Sequence, residues 1–181
     1  MCRTRARLLA ARALLENGDP LTAQNYLDPL KKDAPDADTQ ARAAFLDGLR
    51  LQKIGKKEEA LAAWEKLTDS PIDEIKARAQ FAVVSEQLDE KKIEPKDAVA
   101  KLEALRYLWR GDTFEFDLLS KLGHLYFDVA QARKGLLTLR QAATHFPDHP
   151  RAKQAADEMT AEFRKLYLGG GADKLSPLTA V

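Results

Sequence analysis

The chain has 181 residues, 45% of them hydrophobic and 31% charged, which fits one domain or one short solenoid. Its 29 Lys and Arg stand against 28 Asp and Glu, a net charge of +1, so it lacks the basic excess of a phosphate-contacting protein, and no nucleic-acid partner is expected. The single cysteine, Cys2, excludes an internal disulfide and any cysteine-built metal site, and no apolar run reaches the length of a membrane span, so no membrane insertion is expected.

The predicted elements are all helical. Residues 3–17 place Leu8, Ala11, Leu14 and Leu15 on one face, and Asn17-Gly18-Asp19-Pro20 ends the helix. Glycine suits the left-handed position after a helix, and proline the first turn of the next. The basic start, Arg3, Arg5 and Arg7, leads straight into that pattern and reads as helix rather than signal peptide. A second helix spans 20–32. The same grammar predicts helices over 37–54 and 57–68, with Ile54-Gly55-Lys56 as the turn and Pro71 at the exit. A helix over 73–91 carries Phe81, Val84, Ser85 and Leu88, and the next starts after Glu94-Pro95 with Ala98, Leu102, Leu105 and Trp109. Gly111 stops it and Asp112 caps its successor. Residues 114–146 form two helices turning near Ala130 to Arg133, and Pro150 opens a last helix to Leu168 bearing Ala156, Met159 and Phe163. Apolar spacings of three and four, with no alternation of period two, make the class all-α.

These helices recur as pairs at a spacing of about 37 residues. Ala11, Leu14, Gly18, Ala23, Leu27 and Leu30 return as Gly48, Leu51, Gly55, Ala60, Trp64 and Leu67. The fourth pair is the clearest, with Leu119, Leu122, Gly123, Tyr126, Gly135, Leu139, Ala142 and Pro147. The small residues Gly48, Gly123, Ala60 and Ala142 belong where helices cross, and Tyr126, Trp64, Leu139 and Phe163 fill the gaps between neighbouring pairs. The units run about 3–36, 37–72, 73–112 and 113–149, with an extra helix at 150–168. Residues 169–181 are a Gly-rich tail or the start of an incomplete repeat, so a piece of a longer array is expected.

The offsets resemble the tetratricopeptide repeat (TPR), which the fourth unit fits at every signature position. Gly135 stands where alanine is more usual, a tolerable small-for-small change, and Asp47 stands where an apolar residue is expected, which weakens the second unit's core. The resemblance implies a right-handed α-solenoid of antiparallel helix pairs that binds a peptide or helix of a partner protein in a concave groove lined by each first helix. At groove positions stand Arg5, Arg12, Arg42 and Lys53 in the first half, and Glu86, Asp117, His124 and Asp128 in the second, a basic-to-acidic polarity that would orient a partner. The lysines and asparagines with which some members hold a chaperone's C-terminal carboxylate are absent. The alternative role is structural: self-assembly through the terminal faces, using Leu15 at one end and Phe163 and Tyr167 at the other. The segment from Leu105 onward also resembles the repeat region of long bacterial proteins of this family, often attached to an envelope part, which favours the periplasm over the cytoplasm.

No enzyme is expected, since no nucleophile–base pattern and no phosphate loop is present. No cofactor and no metal are expected either: His145 and His149 have a metal-ligand spacing, but Pro147 between them makes the segment a turn.

Overall fold

The computed structural model describes residues 2–32 and 36–168. The tail from residue 169 and the Asp33-Ala34-Pro35 exit lie outside the described residues. Nine helices and no strand are found among the described residues: α1 (Cys2–Glu16), α2 (Pro20–Lys32), α3 (Ala37–Lys53), α4 (Lys57–Glu65), α5 (Asp73–Asp89), α6 (Pro95–Leu105), α7 (Thr113–Asp128), α8 (Ala132–His145) and α9 (Ala152–Tyr167). Helix α5 stops two residues short of the pattern-based expectation, α9 starts at Ala152 with Pro150 in the turn ahead of it, and two further ends differ more. Helix α4 stops at Glu65, where Thr68 Oγ1 turns back to donate to the Glu65 carbonyl at 2.8 Å. Helix α6 stops at Leu105, so Trp109 is not on it; the Trp109 indole N–H instead donates to Asp112 at 3.1 Å, bracing the cap of α7.

The chain divides into two compact units, Met1–Glu90 and Lys91–Val181. In the first, α1 pairs with α2 and α3 with α4, and each pair is closed by the next helix. Ala11, Leu15, Ala23, Leu27 and Leu30 form one core with Ala43 and Leu46 of α3; Phe45, Leu51, Ala60 and Trp64 form a second with Ile75, Ala79 and Val83 of α5. No hairpin buries its own apolar face alone, which is why the helices must follow one another as an array. The crossing of α3 and α4 is set by Gly48, where an added Cβ would collide with the Trp64 indole, and Trp64 Nε1 donates to the Phe45 carbonyl at 3.3 Å.

Asp47 does not weaken this unit as expected. Its carboxylate accepts from Arg50 Nε at 2.7 Å and pairs with Lys31 of α2, while Arg50 reaches Gln24 of α2 at 3.4 Å. The α2–α3 seam is therefore tied by an ionic cluster rather than left with an unmatched charge in an apolar core.

In the second unit α7 packs between α6 and α8, and α9 lies on α8. Phe116, Leu119 and Ala142 form its core with Ala152 and Ala155 of α9. Gly123 lies against Leu139, whose Cδ2 would be 2.6 Å from a Cβ there. Gly135 is stricter than a generic small position, because its Cβ would meet Phe127 Cζ at 2.8 Å and the Gly123 carbonyl oxygen at 2.9 Å. Alanine is thus not a free exchange at Gly135, contrary to the sequence-based expectation.

The turns keep the repeat conformation even where the residue type changes. Gly18 and Gly55 have φ of 79° and 82°, and their counterparts Lys91 and Ala130 hold φ of 56° and 59° without being glycine. Asp112 caps α7 as expected, accepting from Phe114 N at 2.8 Å, and two further caps appear: Asp19 accepts from Thr22 N at 3.0 Å and Asp36 from Thr39 N at 2.6 Å. Hydrogen bonds from the Thr22 hydroxyl and amide hold the Asp19 carboxyl below its ordinary pKa, and those from the Thr39 amide and hydroxyl do the same for Asp36. Both caps contribute above the ordinary carboxylate pKa and are lost as pH falls through the lowered one.

Candidate partner-binding faces

In the first unit α1, α3 and α5 lie side by side, with α2 and α4 packed behind them. The face they present is not uniformly available. Arg5 and Lys53 are exposed, and neither makes an ion pair among the described residues. Arg12 is also accessible and binds Glu16 on its own helix at 2.8 Å. Leu8 and Leu49 are half-buried and rest on the apolar clusters beneath.

Arg42 and Glu86 have other work. Arg42 Nε binds Asp38 at 2.8 Å and Arg42 Nη1 binds Glu74 of α5 at 2.6 Å; these carboxylates, Asp38 first, raise the guanidinium pKa further above its ordinary value. Glu86 is only 2% exposed, so it offers no surface to a partner. It accepts from Gln52 Nε2 of α3 at 2.8 Å and pairs with Lys57 of α4 at 3.0 Å, a bond that raises the lysine's pKa. Glu86 thus joins α3, α4 and α5.

The second unit repeats the device between α7 and α9. Asp117 pairs with Arg151 just ahead of α9, and His124 Nε2 lies 3.2 Å from Glu158 Oε2. Asp128 is exposed at the C-terminal end of α7. His145 ends α8, and His149 in the following turn stacks on Phe116 with ring centroids 3.8 Å apart. Burial there lowers the His149 pKa, so acidification that charges the ring works against this packing.

A shared register underlies these lateral bonds. Gln52 with Glu86 and Asp117 with Arg151 are each 34 residues apart, as are His124 and Glu158. That is the repeat spacing less about one helical turn, so a side chain reaches the next first helix one turn before its own equivalent. The partners Arg151 and Glu158 were legible only as charges of opposite or complementary type at that offset, and Glu74 lies 32 residues after Arg42.

Of the residues proposed for self-assembly, Leu15 is 2% exposed in the α1–α2 core and cannot serve at an outer face. Phe163 is 48% exposed and stacks on Tyr167 with centroids 4.7 Å apart. Phe163 stands one repeat after Tyr126, which is 3% exposed beneath its neighbours.

No family model matches the chain, and no curated protein matches it. Among solved structures it is similar to a crystal structure of nearly identical TPR-like repeats from Podosopora anserina, named as a kinesin light chain. The TM-score is 0.56 at 15% identity, covering 96% of this chain and 97% of that one. The fold is TPR-like. Among the described residues, no helix of this TPR-like chain is long and apolar enough to cross a membrane. TPR-like arrays stack short repeats, and the small rotation from one repeat to the next builds an extended surface.

Proposed function

We propose that the α1/α3/α5 face of the first unit binds an acidic amphipathic peptide or helix of a partner protein, without catalysis. Arg5, Arg12 and Lys53 are its charged contacts, and Leu8 and Leu49 its apolar floor. The observation that carries this reading is that Arg5 and Lys53 stand exposed without a carboxylate partner among the described residues, whereas Glu86 is buried and its charge is answered by Lys57. On the second unit, taken by itself, Asp128 is an accessible acidic contact at the end of α7.

Fluorescence anisotropy with labelled amphipathic peptides of equal hydrophobicity, one acidic and one basic, tests it. The acidic peptide binds the whole chain more tightly, weakens with salt, and loses about tenfold on Arg5→Glu with Lys53→Glu, while the melting temperature stays unchanged. Equal binding of both peptides, or of the acidic peptide to the charge-reversed variant, overturns the reading.

Self-assembly is a second reading, carried by the exposed Phe163–Tyr167 stack on α9. Light scattering would then show a mass that grows with concentration and returns to the monomer value on Phe163→Ser. A monomer at all concentrations rejects it.

A further inference from the structure

We propose that the furrow between α6 and α8 is a second binding site, one for a small organic carboxylate that carries an apolar branch and an N–H or O–H donor. This cavity of about 460 Å³ lies within the second unit, apart from the first-helix faces. That volume is the size of a small-molecule site. Its walls are two helix faces in register. Val99 and Glu103 project from α6 with Arg106 just past its end, and Lys134, Thr138 and Gln141 from α8, each set stepping by three or four residues. Tyr126 of α7 also lines it.

The polar groups inside are unevenly matched. Tyr126 donates its hydroxyl proton to Glu103, and Arg106 lies 3.3 Å from the same carboxylate while donating to Gln141 at 2.9 Å. The negative charge of Glu103 is therefore answered. Lys134 has no carboxylate partner among the described residues, and its Nζ sits over the Tyr126 ring, 5.5 Å from the centroid. One turn earlier, Gln131 Oε1 is shut off from solvent and accepts no hydrogen bond. A buried acceptor left unmatched is costly. An ammonium held only by the Tyr126 ring, an unmatched acceptor one turn away, and the apolar side chains of Val99 and Leu137 together describe a ligand with an anionic end, a donor and an apolar branch.

N-acetyl-leucine, which has all three features, is the probe, followed by ¹H–¹⁵N NMR of the whole chain. It produces saturable shifts at the Gln131, Lys134 and Thr138 amides. N-acetyl-leucinamide, which lacks the charge, binds about tenfold more weakly. Lys134→Gln weakens the acid about tenfold, and Lys134→Arg restores it. A short alanine peptide ending in leucine distinguishes a free small molecule from a chain end: tighter binding assigns the site to chain ends, weaker binding to free acids. Equal affinity for acid and amide, no saturable shift on α8, or an unaffected Lys134→Gln variant overturns the proposal.

Discussion

Trp64→Ala is expected to lower the unfolding free energy by about 3–5 kcal/mol, read from chemical denaturation followed by circular dichroism. The indole has 0% exposure, joins the core shared by α3, α4 and α5, and donates to the Phe45 carbonyl. Its removal opens a void that the surrounding helices cannot close without sliding α4 toward α3. Gly48→Ala tests the same crossing from the other side, since the new methyl enters the space of the indole. Alone it destabilises by about 1–3 kcal/mol, more than offsetting the helix propensity that alanine gains over glycine. Combined with Trp64→Leu it costs clearly less than the sum of the two changes, because the smaller side chain makes room. Additive costs would mean that the two residues do not share a site.

Asp47→Ala is expected to cost about 3 kcal/mol. The loss comes from what remains: Arg50, 7% exposed, keeps only the 3.4 Å contact with Gln24, and Lys31 loses its inter-helix partner. Adding Arg50→Met recovers most of the loss, because a well-packed apolar side chain replaces a stranded cation. Denaturation midpoints of the single and double variants check this. An Asp47→Ala variant as stable as the parent would show that the cluster is idle.

Helix existence, the order of the helices and most of their ends were legible because each rests on local chemistry. Asp112 caps α7, Gly18 and Gly55 take the left-handed turns, and apolar residues recur at helical spacing. The ends of α4 and α6 were not legible, because Thr68 and Trp109 act through hydrogen bonds that no periodicity reports. Groove membership was harder still. Position on a first helix predicts which way a residue points, but not whether a neighbouring helix has already engaged it. Glu86 lies where the repeat register puts a groove residue and is nonetheless enclosed by Gln52 and Lys57. Leu15 failed for a related reason: an array's outer flank is set by tertiary packing, and α2 covers that residue.

An array of look-alike hairpins invites the idea of interchangeable modules, to be duplicated, deleted or reordered at will. The bonds between successive first helices deny it here. Gln52 answers Glu86, Asp117 answers Arg151, and His124 answers Glu158, each through a different pairing of donor and acceptor. A copied or transposed hairpin would keep its backbone and core yet set these side chains opposite strangers, acid against acid in some arrangements. The chain is modular in shape and sequential in chemistry, so its repeats carry an address as well as a fold.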